Sequence, residues 1–367
     1  MCFCCVFLMK RGLGPEVMLP TIPPPLRRQR GCRWWVSRSL PIGLIVLLLL
    51  AALLRYLEQA AGSKLTQQYP APGQLVDMDG YHMHILCRGE GSPTVILESG
   101  ASDFSLQWTL VQPQVATFTR VCVYDRAGFG WSDPSPYRRT SDVIGEELHR
   151  LLIRSEIPGP YVMVGHSFGG MNVRLYAHRY PEDVAGMVLL DALHEAQFLG
   201  SPGFLRVAKM ILALFHNFPL LRSPGLLALF PDQIPVRGLT GEAADAYRAI
   251  LATTRYLATA IEETESLDES LALVREAQLA GLGNIPLIVV SRQVAFPLPG
   301  APPAISEHFE QEWQLLQLDL VALSPNSKHV IAEGSGHHIQ LARPDIVVEA
   351  IREVVFTLRE QQAMRQP

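Results

Sequence analysis

Ser167 lies in Gly165-His166-Ser167-Phe168-Gly169-Gly170, the stretch of this chain best suited to chemistry. A serine hydroxyl is barely nucleophilic at neutral pH, so its use requires an exposed position and a base within reach. The apolar run Tyr161-Val162-Met163-Val164 precedes the motif, and a helix-like segment over 171–180 follows it. A strand turning abruptly into a helix holds the serine clear of its neighbours, with its hydroxyl presented above the sheet. Glycines on both sides fit this reading, because a Cβ there would collide with adjacent backbone at a strained turn. Gly-x-Ser-x-Gly recurs by chance in long sequences; the strand-turn-helix context gives it weight. Ser167 is the expected nucleophile.

The expected base is His337, in Gly334-Ser335-Gly336-His337-His338, directly after the last strand-like run. Its flanking glycines and loop position free the ring to reach a distant serine. His338 is its rival. His149, His178 and His216 read as surface histidines, and His166 as a residue that shapes the turn. No Cys and His spacing typical of a metal site occurs, so neither a metal nor an organic cofactor is expected.

These residues need a scaffold. Strand-like runs fall at 81–87, 94–98, 121–124, 161–164, 186–190, 286–290 and 329–332. Helical periodicity occupies 141–154, 171–180, 305–323 and 344–358. Alternating apolar strands and helices predict a mostly parallel central sheet flanked by helices on both faces. One interval breaks the rhythm: from Leu190 to Pro286 there is helical periodicity but no good strand. That length is too great for a structureless loop, so an inserted helical cap is expected at the C-terminal edge of the sheet.

The chain has 367 residues, 48% of them hydrophobic, enough for a sizeable core. A net charge of -4 argues against a nucleic-acid partner. Lys10, Arg11, Arg27, Arg28, Arg30, Arg33 and Arg38 nevertheless crowd the N-terminal segment, ahead of an uncharged apolar run over 40–54. Trp34-Trp35 and Arg55-Tyr56 would serve as interfacial ends. A cleaved signal peptide fits poorly, because Glu58 or Gln59 would occupy the inner small position of the cut. The expectation is therefore a single N-terminal transmembrane helix, with a cytoplasmic N-terminus and an extracytoplasmic body. Cys87 and Cys122 fall on strand-like runs and read as buried free thiols rather than a disulfide.

From about Leu75 to Leu358 the chain resembles the α/β-hydrolase fold superfamily, in its serine ester-hydrolase-like branch. The matching residues are Glu98-Ser99-Gly100-Ala101, Tyr124-Asp125-Arg126-Ala127-Gly128-Phe129-Gly130-Trp131-Ser132, the turn around Ser167, Val188-Leu189-Leu190-Asp191, and Gly336-His337. The resemblance implies an oxyanion hole formed by the backbone N–H groups of Phe168 and Ala101. Many members carry His-Gly where this chain has Ser99-Gly100; the implied donor is backbone and survives that change. Many members also place the triad acid just after the strand at 286–290. Here Ser291-Arg292-Gln293-Val294-Ala295-Phe296-Pro297 offers no carboxylate. The family's alternative position follows the preceding core strand, where Asp191 stands; Glu195, Glu307 and Glu310 are rivals.

The expected organisation is a basic cytoplasmic segment over 1–39, a transmembrane signal anchor over 40–57 and a linker over 58–74. An α/β-hydrolase core then spans 75–192 and 285–360, with a helical cap over 193–284. The expected function is cleavage of carboxylic esters, lipid esters among them, by a Ser167-His337-Asp191 triad, with small-molecule ester or lipid and the bilayer as partners. Epoxide hydrolases and haloalkane dehalogenases of this fold use an aspartate nucleophile, against which Ser167 speaks. The competing expectation is a catalytically impaired binding or scaffold protein. The apolar cap segment 204–230 suggests a roof over the pocket or a surface that dips into lipid.

Overall fold

Two-residue alternation along the strands divides the core into two layers. In β3 (Thr94–Glu98), β5 (Tyr161–His166) and β6 (Val184–Leu190), Val95, Leu97, Val162, Val164, Val188 and Leu190 pack on one face. Val347, Ile351, Val354 and Val355 cover that face, all from the long helix Pro344–Arg365. Ile96, Met163, Met187 and Leu189 point the other way, onto Leu148, Leu151 and Leu152 of helix α1 (Ser141–Arg154) and Val173 and Tyr176 of helix α2 (Phe168–Arg179). Burial on both faces explains why these strands read as continuous apolar runs.

The computed structural model describes residues 41–59 except 43, 47, 54 and 58, then 67–197, 199, 233–277, 281–296 and 302–365. Its sheet has eight strands in the order β1-β2-β4-β3-β5-β6-β7-β8. The remaining strands are β1 (Gln74–Asp77), β2 (His82–Arg88), β4 (Val121–Tyr124), β7 (Leu287–Arg292) and β8 (Ser327–Ala332). β1 and β2 pair antiparallel, as do β2 and β4; every pairing from β4 through β8 is parallel. All seven strand-like runs of the sequence form strands. The eighth, β1, begins at the end of the segment read as linker; it is short, mostly exposed and lies on the sheet edge.

Between β6 and β7 the described residues contain helices α3 (Gly241–Leu251), α4 (Thr254–Glu265) and α5 (Leu267–Glu276), and no strand. Thr253 starts α4 by accepting a hydrogen bond from the Tyr256 N–H, satisfying one of the free donors of the first turn. The apolar stretch 204–230, with its expected lipid contact, lies outside the described residues.

Two expectations change. Cys87 and Cys122 are joined by a disulfide, not free. They stand directly opposite each other on β2 and β4, with Cα atoms 4.0 Å apart, a consequence of register that neither strand reveals alone. The described residues of 41–53 are helical, and Ile42, Leu44, Ile45 and Leu49 are exposed. Among the described residues, however, no helix is long and apolar enough to cross a membrane, so the transmembrane helix expected over 40–57 gains no support there. Units ending and beginning at Ala51 and Ala52 divide the chain, and the sheet lies wholly in the second.

Candidate active site

The turn after β5 forces Ser167 to φ 53° and ψ -122°, a backbone region that costs a residue with a side chain about 1–3 kcal/mol. Hydrogen bonds hold it there. The Ser167 N–H donates to the Leu190 carbonyl at 3.0 Å, and its carbonyl accepts from Gly170 and Leu193, each at 2.9 Å. A Cβ on Gly165 would lie 2.6 Å from the Gly169 oxygen, so only glycine lets the helix start this close to the strand. Ser167 is the N-cap residue of α2, yet its side chain makes no capping bond. Its Oγ lies 3.0 Å from His337 Nε2 instead.

His337 lies in the loop after β8, its ring nearly perpendicular to those of Phe296 and Trp313, with centroids 5.7 and 5.9 Å away. Its carbonyl is 2.9 Å from His166 Nε2, and Gln340 Nε2 is 3.3 Å from His166 Nδ1. The Gln340 amide can only donate through its nitrogen, so the His166 proton sits on Nε2 and is given to the His337 carbonyl. Burial pushes His166 far below its ordinary range, with His337 and His338 adding to the effect, and it stays neutral. It anchors the backbone of the histidine loop.

His337 Nδ1 lies 2.6 Å from Asp191 Oδ2. Asp191 directly follows β6, with φ 42°, and is fully buried. Its carboxylate also accepts from Arg292 Nη1 at 2.7 Å and Trp313 Nε1 at 2.8 Å. Burial alone would raise this acid. The His337 bond, with the positive fields of His337 and Arg292, outweighs burial and holds it below the ordinary carboxylate range. Serine, histidine and aspartate thus stand in hydrogen-bonding series across three strand ends.

The rivals stand elsewhere. Glu195 pairs with Arg174 at 2.8 Å, Glu310 with Arg292 at 2.7 Å, and Glu307 is exposed. His338 Nε2 lies 3.1 Å from Arg237 Nη1; burial first, then Arg237 and His337, push this ring down to about 3. His149 lies 3.0 Å from Asp183, His178 is exposed, and His216 falls outside the described residues.

Above the serine runs the loop after β3. A Cβ on Gly100 would lie 2.8 Å from His166 Nδ1 and 3.3 Å from Ser167 Cβ, so this loop passes against the turn. Arg126 clamps it, donating to the Ser99 carbonyl at 2.6 Å and the Gly100 carbonyl at 2.7 Å. Glu98 and Glu263 flank the same guanidinium, and Glu263 Oε1 accepts from the Ser102 N–H at 2.7 Å. Glu263 comes from α4, so a helix of the inserted segment braces the loop carrying Ala101. Phe168, the first residue of α2, follows the serine directly and is buried.

Asp103, His166 and His338 bring possible ligand atoms within 4.8 Å of one another. Existing bonds engage each residue, though His338 Nδ1 itself has no hydrogen-bond partner. Arg237 Nη1 reaches Asp103 at 3.1 Å and His338, while His166 is held by His337 and Gln340. A guanidinium supplies the positive charge that a metal would bring.

Arg292, Trp313 and Glu263 are not foreseen from the sequence, whereas the Asp125-Arg126 turn reads there as a structural brace for a loop, the role Arg126 has here. Trp313 and Glu263 carry no local signal, being brought in from helices far along the chain. Arg292 did offer one: it ends the strand after which the commoner acid position falls, and a buried arginine there calls for a nearby anion.

Residues 95–350 match the sequence profile of the alpha/beta hydrolase family. YqjL of Bacillus subtilis, an uncharacterised protein, is 27% identical over 289 residues, covering 78% of this chain and 93% of its own. An AB hydrolase superfamily protein of Gibberella zeae is also 27% identical over 289 residues, covering 73% of this chain and 87% of its own. Among solved structures, a thermophilic esterase from Thermogutta terrifontis superposes with a TM-score of 0.53 at 20% identity, over 77% of this chain and 97% of its own. At that identity the likeness speaks to fold. With more than half of its length matched, the chain belongs to the alpha/beta hydrolase family.

Proposed function

We propose that this protein is a serine hydrolase that cleaves uncharged carboxylic esters, lipid esters among them, through an acyl-enzyme. The observation that carries the reading is the series Ser167 Oγ to His337 Nε2 at 3.0 Å and His337 Nδ1 to Asp191 Oδ2 at 2.6 Å. In this reading His337 takes the Ser167 proton as Oγ attacks the ester carbonyl. Asp191 keeps the His337 proton on Nδ1 and stabilises the imidazolium that forms. The N–H groups of Phe168 and Ala101 bind the developing oxyanion, worth about 3 kcal/mol per donor. His337 then gives its proton to the departing alcohol, and water, activated by the same ring, releases the acid. A scaffold role draws on the missing carboxylate after β7; the Asp191 contact supports the catalytic reading instead.

The chain is further proposed to be anchored by its N-terminal apolar run with the catalytic body extracytoplasmic. Exposed Ile42, Leu44, Ile45 and Leu49 behind a basic segment favour insertion, and the Cys87–Cys122 disulfide favours an oxidising compartment. Carbonate washing should leave the chain with the membrane pellet; release into the wash would refute the anchor.

The catalytic reading is tested with p-nitrophenyl esters from acetate to octanoate, using the full chain in detergent. Hydrolysis abolished by Ser167→Ala is expected. A folded Ser167→Ala variant as active as the parent would overturn the assignment.

A further inference from the structure

Asp191 Oδ2 has two claimants: His337 Nδ1 at 2.6 Å and Arg292 Nη1 at 2.7 Å. Both members of the Arg292–Asp191 ion pair are buried, with side-chain exposures of 1% and 0%. The other arm of Arg292 meets Glu310 Oε2 at 2.7 Å, and Trp313 lies against the guanidinium at 4.5 Å. We propose that Arg292 is a positioning residue that fixes the Asp191 carboxylate and opposes the charging of the histidine base, with Glu310 as its counterweight. This rests on the serine-hydrolase reading above and adds a control on the conditions under which that site works.

When His337 takes a proton, the imidazolium forms on the order of 5 Å from a permanent cation, in a site with little water to screen it. The shared carboxylate attracts the new charge while Arg292 repels it. Arg292 therefore opposes the charging of the ring that Asp191 favours. Glu310 draws off part of the Arg292 field and moderates this effect. The remaining titratable groups around His337 add little charge of their own. His166 and His338 are pushed towards neutrality, by burial above all, and Asp103 is paired with Arg237. Phe296 and Trp313, which stand nearly perpendicular to the ring, carry none.

The test is the rate of fluorophosphonate labelling of the full chain as a function of pH. In Arg292→Met the acid limb should move up by about two pH units, because the repelling cation is gone. In Glu310→Gln it should move down by roughly half a unit, because the arginine field is no longer shared. Arg292→Lys, which keeps the charge, should stay close to the parent. A merely structural role would slow all variants without opposite displacements. Thermal melts identify any variant that fails to fold; Glu310→Gln, which removes a partly exposed partner, then carries the test alone. A folded Arg292→Met protein with an unmoved limb, or an upward move in Glu310→Gln, overturns the proposal. If the parent labels at no pH, the hydrolase reading fails first and takes this inference with it.

Discussion

Replacing Asp191 with asparagine probes the acid most directly. Asparagine tolerates the positive φ of 42° at this position, so backbone strain does not confound the change. Three side-chain donors face the carboxylate, from His337, Arg292 and Trp313. An amide offers one acceptor oxygen and a donor –NH2 in its place. If the nitrogen faces His337, the ring must accept at Nδ1 and carry its proton on Nε2, where it cannot take the serine proton. If the oxygen stays there, held by Arg292, the imidazolium still forms beside a buried cation with no anion between them. At an effective dielectric near 20, a unit charge about 3.5 Å away is worth about 5 kcal/mol. At roughly 1.4 kcal/mol per tenfold, turnover should fall on the order of 10³–10⁴. The clash with Trp313 or Arg292 should also cost about 1–3 kcal/mol of stability. The assay is kcat/KM on a p-nitrophenyl ester, alongside a melt showing that the variant is folded. Activity within tenfold of the parent would mean that another group orients His337.

Gly100→Ala would put a Cβ 2.8 Å from His166 Nδ1 and push the loop off the turn; kcat should fall roughly 10²–10³-fold, and a normal rate would move the oxyanion donor elsewhere. The folded-state acidity of Asp191 is increased relative to the unfolded chain, so its contribution to stability is present above about pH 4 and lost as pH falls through its lower folded value. Urea midpoints followed into acid should therefore decline less for Asp191→Asn than for the parent; parallel curves would contradict this. Serine at both Cys87 and Cys122 opens a link between residues 35 apart, which should cost about 3–4 kcal/mol and lower the melting temperature under non-reducing conditions. An unchanged melt would show that the bridge adds nothing.

Sequence legibility followed distance along the chain. Ser167 announces itself because a strand, two glycines and a helix must sit beside it, and all lie within a few residues. His337 follows the last strand and is flanked by a glycine, so its freedom to reach inward could also be read locally. Asp191 was legible only through its place after a core strand, since its partners Arg292, Trp313 and His337 lie 101, 122 and 146 residues away. The link from Arg126 to Glu263 was invisible for the same reason: it joins a loop to an inserted helix 137 residues further on. Cys87 and Cys122 were misjudged because pairing depends on register, which apolar periodicity does not specify. The buried sheet could be read almost strand for strand because burial on both faces leaves long apolar runs; the exposed edge strand β1 leaves none.

Intact-mass and peptide analysis of the full chain after fluorophosphonate treatment addresses the catalytic claim at its root. A single adduct on Ser167, absent from Ser167→Ala and strongly slowed in His337→Ala, is the predicted result. A folded parent that takes no label, or takes it on a different residue, would contradict an activated serine at this turn.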